Sequence, residues 1–222
     1  MTYTPFTQWI LNTGVNQQVL ELLLAVMVLA TIVSFARYIL GTKSYGIYAP
    51  IILAIAYSYT GLRYGLAITL VVILTTLFSY TILKKIRMHY IARIAVNYCL
   101  LAIFLVIFFI VVKKFGLGLE NMPYISGLAV ISIAAISDFF IKQYVKKSFK
   151  TSVLILFSTV AIAALGWFVI TRDVVSNYML NNLWIVPILI ALNILIGQFT
   201  GLRIKYLFRF KSVASNKDNV GK

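Results

Sequence analysis

Few side chains in this sequence could carry chemistry. The 222 residues include five acids and a single histidine. His89 has no cysteine, acid or second histidine near it in sequence, so no metal site of recognisable spacing is predicted. The sequence also pairs no nucleophile with an acid and a base. We therefore predict a protein that is not an enzyme and needs no cofactor.

Three polar side chains inside apolar segments are candidates for a binding site or a pathway. Asp138 lies among small apolar residues, where burial of a carboxylate is costly and so suggests function. Lys142 follows one helical turn later, and an ion pair at the membrane interface is the structural alternative. Asn97 and Asn193 are predicted to be buried amides, for which hydrogen bonding between helices is the alternative.

An unusual stretch, residues 41–65, supplies three further pathway candidates. Its sequence, GTKSYGIYAPIILAIAYSYTGLRYG, is apolar but is interrupted by glycines and a proline. Gly46, Tyr48 and Pro50 lie near its start, where they either shape a pathway or let helices pack closely. The tyrosines near its ends are typical of aromatic belts at both membrane interfaces. They are Tyr45, Tyr48, Tyr57 and Tyr59.

Small residues at helical spacing predict close helix packing in two places. Gly61 and Gly65 are separated by one helical turn. Asn193, Gly197 and Gly201 recur every four residues and therefore share one helix face. The second face could also form a homo-oligomer.

The composition predicts an all-α, polytopic membrane protein. Mean hydropathy is +0.97, 62% of residues are hydrophobic, and several segments exceed 18 apolar residues. Spans two and five are predicted to be short and broken. At ~1.5 Å per residue, span two covers only about 25 Å of a ~30 Å hydrocarbon core. The seven predicted spans are 17–36, 44–60, 62–83, 94–112, 123–141, 151–171 and 183–202.

The distribution of Lys and Arg predicts the orientation. If the basic loop 84–93 is cytoplasmic and every span crosses once, 16 of the 20 Lys and Arg fall inside and 4 outside. The N-terminus is then outside and the C-terminus inside, in a multi-pass protein of the cytoplasmic (inner) membrane. If span two were re-entrant, the N-terminus would change side.

The same charge pattern predicts where the domains begin and end and which kinds of partner the protein has. Residues 1–16 are predicted to be an extracytoplasmic lead-in, 17–210 the transmembrane domain and 211–222 a disordered cytoplasmic tail. The net charge of +15 is explained by loops that contact the lipid bilayer, so no nucleic-acid partner is predicted.

Two basic loops, 84–93 and 142–150, contain candidates for docking a cytoplasmic partner. Membrane topology alone is the alternative explanation for their charge. The docking candidates are Arg87, Arg93, Lys146 and Lys147.

Two glycine motifs resemble those of a bacterial membrane family. The first, R-x-I-x-G-T-x-x-[YF]-G-x-[YF]-x-P followed by TGL, runs from Arg37 to Leu62. The second, G-x-[YFW]-x-G-L-R, begins at Gly197 and is followed by an R-F pair. Over about residues 18–212 the chain resembles the seven-transmembrane domain usually fused behind an inactive transglutaminase-like domain. Ala92 departs from the family's usual proline.

A more distant resemblance is to the membrane subunit of poly-γ-glutamate synthase (PgsC/CapC-type), which repeats a Gly-x-x-x-Pro run before a short apolar helix. Both families are associated with ATP-grasp or Mur-ligase-like enzymes that form amides. The resemblance implies a non-catalytic membrane subunit that scaffolds such a ligase, in synthesis or export of a peptide or polyglutamate-like polymer. It also implies a separate transglutaminase-like protein as a partner.

The alternative function is a transporter of small solutes or lipids that works alone. Asp138, Asn97 and Asn193 would then line its polar path. An enzyme within the membrane is the third and least expected hypothesis, because the sequence lacks an acid–base pair.

Overall fold

The computed structural model describes residues 5–115, 126–146 and 148–198, and the regular elements in these ranges are all helices. Predictions that fall on residues 1–4, 116–125, 147 and 199–222 lie outside the described part of the chain. The helices are α1 (Pro5–Asn12), α2 (Gln17–Tyr38), α3 (Tyr48–Thr60), α4 (Leu62–Leu83), α5 (Tyr90–Phe115), α6 (Gly127–Ala134), α7 (Ile136–Lys146), α8 (Phe149–Ile170), α9 (Asp173–Asn181) and α10 (Ile185–Gln198).

Seven apolar segments of the described chain correspond in order to the seven predicted spans. Five are long and apolar enough to cross a membrane, and α3 and α10 are shorter apolar helices. The five longer segments are Gln17–Tyr38, Leu62–Leu83, Tyr90–Phe115, Gly127–Val145 and Phe149–Ile170. The all-α membrane fold is therefore confirmed, whereas the side on which each terminus lies stays a prediction.

Span two is shorter than predicted, because its helix begins at Tyr48. Gly46 adopts φ +67°, a left-handed conformation that favours glycine, and its carbonyl accepts a 2.9 Å hydrogen bond from Ser44 Oγ. Pro50 then occupies the first turn of the helix, where no backbone hydrogen bond is lost. The 13 residues of α3 cover only about 20 Å.

The burial of α3 indicates how so short a helix is accommodated. Eight of its 13 residues are buried, and it packs against α4 and α6. Small side chains such as Ala54 and Ala56, exposed by 1% or less, allow this close approach. The structure thus favours a helix buried in a bundle.

Span five is broken, as predicted. The segment Gly127–Val145 is divided at Ala135 into α6 and α7. The amide of Asp138 bonds to the carbonyl of Ala135 at 3.3 Å, an i to i−3 contact that tightens the backbone at the break. The break therefore lies immediately before the carboxylate of Asp138.

The chain divides into two compact units, which we call the terminal unit (residues 1–47 and 168–222) and the central unit (residues 48–167). In the terminal unit α2 packs against α9 and α10, around the buried side chains of Leu24, Met179 and Leu180. In the central unit α4 packs against α3, α5, α6 and α7.

The prediction of aromatic belts is wrong for two of the four tyrosines. Tyr57 is fully buried, and its hydroxyl forms a 2.9 Å hydrogen bond with Thr69 Oγ1. Tyr45 is also buried. Tyr48 and Tyr59 are 75% and 61% exposed, as belt residues would be.

The paired glycines have different roles. Gly65 is confirmed as a packing residue, since an added Cβ would lie 2.8 Å from Tyr57 Cε1. Gly61 instead adopts φ +77° in the turn between α3 and α4. At Gly197 an added Cβ would meet no atom of the described residues within 4 Å, so close packing at this position stays a prediction. Gly201 lies outside the described residues.

Candidate functional site

Two hydrogen bonds at adjacent positions join α5 to α7. Asn97 Nδ2 donates to Ser137 Oγ, and the Tyr98 hydroxyl donates to Asp138 Oδ2, each at 3.3 Å. The residues are consecutive on both helices, so these bonds gather four polar side chains into one place, which we call the polar site. Asn97 and Ser137 are fully buried, whereas Tyr98 and Asp138 are partly buried.

The helix break explains the position of the acid. Asp138 occupies the first turn of α7, where the partial positive charge of the helix N-terminus favours a carboxylate. Lys142, its predicted ion-pair partner, has its ammonium 5.9 Å from the centroid of the Phe139 ring. The hydrogen-bond partner of Asp138 therefore comes from the neighbouring helix α5.

Two acceptor atoms of the polar site have no hydrogen-bond partner among the described residues. They are Asn97 Oδ1 and Asp138 Oδ1, and both atoms are buried. Buried polar atoms without partners are uncommon in native proteins and call for an explanation. The arrangement can therefore accept a proton donor or a cation at two oxygen atoms.

Asn193 lies in the terminal unit, whereas Asn97 and Asp138 lie in the central unit. Its Nδ2 donates to Thr31 Oγ1 at 2.7 Å and to the carbonyl of Leu189 at 2.9 Å. The first of these bonds joins α10 to α2. Asn193 thus makes the interhelical hydrogen bond that was its structural alternative, and a pathway role for it stays a prediction.

The three pathway candidates at the start of span two also stay predictions. Gly46 lies in the turn before α3, where its positive φ meets a backbone requirement. Tyr48 is 75% exposed, while Pro50 is buried in the first turn of α3. The local backbone structure therefore accounts for a glycine at position 46 and for a proline at position 50.

A cluster of aromatic rings holds three helix ends together in the central unit. The ring of Tyr144 (α7) lies 4.9 Å from that of Tyr80 (α4), 6.1 Å from that of Phe140 (α7) and 5.9 Å from that of Phe149 (α8), measured between centroids. The sequence alone did not indicate this cluster, although each of its rings lies inside a basic loop or just before one.

The cluster places the two basic loops at the same end of the central unit. Tyr80 precedes the end of α4 by one turn, and Tyr144 and Phe149 flank the short connection from α7 to α8. The connections are shorter than the predicted loops, because α5 begins at Tyr90, α7 ends at Lys146 and α8 begins at Phe149. The two basic segments 84–93 and 142–150, for which we keep the name loops, therefore consist of helix ends with short connections and lie close to one another. A common end is what the charge count required if both loops are cytoplasmic.

The predicted docking residues differ in how far the structure describes them. Arg87 is exposed in the connection between α4 and α5, beside the exposed Lys84 and Lys85. Arg93 is partly buried, and its Nε atom has no partner among the described residues. Lys146 ends α7, but its side chain and the whole of Lys147 lie outside the described part of the chain.

The histidine, cysteine and acidic side chains do not gather into a metal centre in the described ranges. No group of three or more such residues lies close enough there to hold a metal ion. His89 is exposed in the connection between α4 and α5. The polar site thus offers one carboxylate and several neutral oxygens.

Comparison with known proteins adds a family relationship. A family model described as seven transmembrane helices usually fused to an inactive transglutaminase matches residues 6–214. Neither a search of curated proteins nor a search of solved structures found a match. The family match confirms the resemblance seen in the two glycine motifs, whereas the resemblance to the poly-γ-glutamate synthase subunit stays a prediction.

Proposed function

This chain belongs to the family of seven-transmembrane domains usually fused to an inactive transglutaminase, and from that premise we propose that it is a non-catalytic membrane subunit. It holds a cytoplasmic ATP-grasp or amide ligase at the inner membrane. The ligase makes a peptide or polyglutamate-like polymer, which the assembly helps to export. A separate transglutaminase-like protein is a second partner.

The observation that carries this proposal is the shared position of the two basic loops. Loops 84–93 and 142–150 together contain eight Lys and Arg, and the rings around Tyr144 hold both loops at one end of the central unit. Positive charge concentrated in this way attracts an acidic protein surface or a polyanionic product. We call this end of the central unit, with both loops, the docking surface.

Neutralising the docking surface is expected to weaken capture of the ligase. The variant carries Arg87→Gln, Arg93→Gln, Lys146→Gln and Lys147→Gln, and a candidate ATP-grasp or amide ligase from the same organism is co-expressed with it. At about 0.2–1 kcal/mol for each exposed charge pair, we expect co-purification to fall about tenfold. Quantitative pull-down from solubilised membranes measures the effect.

Lys113→Gln with Lys114→Gln provides a matched control. Both residues are exposed in the last turn of α5, far along the helix from Arg93 in its first turn. The control variant is expected to retain the ligase as well as the wild type does. Equal loss in both variants would indicate a non-specific charge effect, and unchanged capture in the four-site variant would refute the docking surface.

A second function, transport of a small solute or lipid, is favoured by the polar site beside the broken span. Discontinuous helices with buried polar groups often mark binding sites in transporters. Uptake by the purified protein in liposomes, abolished by Asp138→Asn, would support this alternative. Liposomes that take up nothing above the protein-free background would count against it.

A further inference from the structure

We propose that the polar site binds a monovalent cation, with Asn97 Oδ1 and Asp138 Oδ1 among its ligands. The site lies between α5 and α7, beside the break in span five. It is distinct from the docking surface, and a subunit that only scaffolds a partner could still bind the ion. Failure of this proposal would leave the proposed function standing.

Two buried acceptor atoms of the polar site have no hydrogen-bond partner among the described residues. Asn97 is fully buried, and its Nδ2 atom is bonded to Ser137 while its Oδ1 atom has no partner among the described residues. Asp138 Oδ2 accepts from Tyr98, and its Oδ1 atom is again buried without a partner. Leaving buried acceptors unsatisfied is unfavourable, and a bound cation would satisfy both.

The polar site gathers oxygen atoms, which are the ligands that hard cations prefer. The bonds Asn97–Ser137 and Tyr98–Asp138 link consecutive residues on each helix, and consecutive Cα atoms are about 3.8 Å apart. Tyr98 also interacts with the Ser137 side chain, so the two bonded pairs are neighbours. Each free acceptor shares a carbon with the atom that makes one of these bonds, so Asn97 Oδ1 lies near the Ser137 hydroxyl and Asp138 Oδ1 near the Tyr98 hydroxyl. A site made of carboxylate, amide and hydroxyl oxygens suits hard cations such as Na⁺.

The charge of the polar site favours a monovalent cation over a divalent one. Asp138 provides one negative charge, and Lys142, one helical turn later with its ammonium 5.9 Å from the centroid of the Phe139 ring, acts on that charge electrostatically. No cluster of three or more acids, histidines or cysteines occurs in the part of the chain that the structure describes. With a single carboxylate and Lys142 nearby, a monovalent cation leaves less uncompensated positive charge at the site than a divalent cation would.

Sodium-dependent stabilisation tests the site. The full-length protein in detergent is heated in NaCl, in KCl or in choline chloride, with ionic strength held constant. We expect a saturable rise in the unfolding temperature with Na⁺ or K⁺ and none with choline, because a ligand that binds the folded state stabilises it. Asp138→Asn is expected to raise the apparent Kd for the cation at least about tenfold.

Two further variants keep the test decisive. Glu21→Gln makes the same acid-to-amide change in the terminal unit, where Glu21 accepts a 2.8 Å bond from Gln17, and it should leave the cation response intact. Asn97→Ala keeps the carboxylate and should weaken the response about threefold or more, even if Asp138→Asn does not fold. Identical unfolding temperatures in all three salts, or an unchanged response in Asn97→Ala, would overturn the proposal.

Discussion

Gly65→Ala is expected to lower the free energy of unfolding by about 1–3 kcal/mol, the usual cost of overpacking a tight core. An added Cβ would lie 2.8 Å from Tyr57 Cε1 and 2.9 Å from Thr60 Oγ1. Both neighbours are buried and bonded, Tyr57 to Thr69 Oγ1 and Thr60 to the carbonyl of Ala56. Neither can move away without losing a buried hydrogen bond, so α3 and α4 must separate.

A glycine with open space provides the control for this change. Gly127, in the first turn of α6, has no atom of the described residues within 4 Å of an added Cβ, and Gly127→Ala should be neutral or slightly stabilising. Truncating the ring should relieve the clash, so Tyr57→Ala combined with Gly65→Ala is expected to cost less than the sum of the two single changes. Chemical unfolding in detergent measures all four proteins. Equal stability of Gly65→Ala and Gly127→Ala would contradict the close approach of α3 and α4.

Tyr144→Ala is expected to have a comparably large effect, on both stability and docking. The change removes three ring contacts, with Tyr80, Phe140 and Phe149. At about 0.5–1.5 kcal/mol for each aromatic pair, we expect a loss of about 1.5–4.5 kcal/mol. Capture of the ligase should also fall, although no charge is removed, because the two basic loops lose their fixed relative position.

Two controls separate ring packing from other effects. Tyr144→Phe keeps the ring and should retain most of the stability and capture. Phe157→Ala removes a ring of α8 that is 75% exposed, and it should affect neither. If Tyr144→Ala lowered stability but left capture at the wild-type level, the fixed position of the loops would not matter for docking.

The spans were predictable because hydropathy is a local property. Lengths of apolar sequence define helices that cross a bilayer, and span five was predicted to be broken. The charge count also predicted that loops 84–93 and 142–150 share one end, which the rings around Tyr144 now explain structurally.

The predictions that failed required knowledge of contacts between helices. Tyr57 and Tyr59 stand two positions apart in α3, yet one is fully buried and the other 61% exposed. Lipid and the neighbouring helices are both apolar environments, so the composition of α3 could not indicate which of its sides faces the other helices. The bond from Tyr98 to Asp138 spans 40 positions of sequence, whereas Lys142 was considered as a partner because it lies one helical turn away.

The affinity of the amide ligase for this protein in lipid nanodiscs tests the docking function most directly. We predict a Kd that rises with salt, because the docking surface attracts its partner through exposed charge. The four-site variant at Arg87, Arg93, Lys146 and Lys147 should raise the Kd about tenfold, while the control at Lys113 and Lys114 should match the wild type. A ligase that binds the wild type and the four-site variant equally, or that binds neither, would contradict a scaffold that docks its partner through these loops.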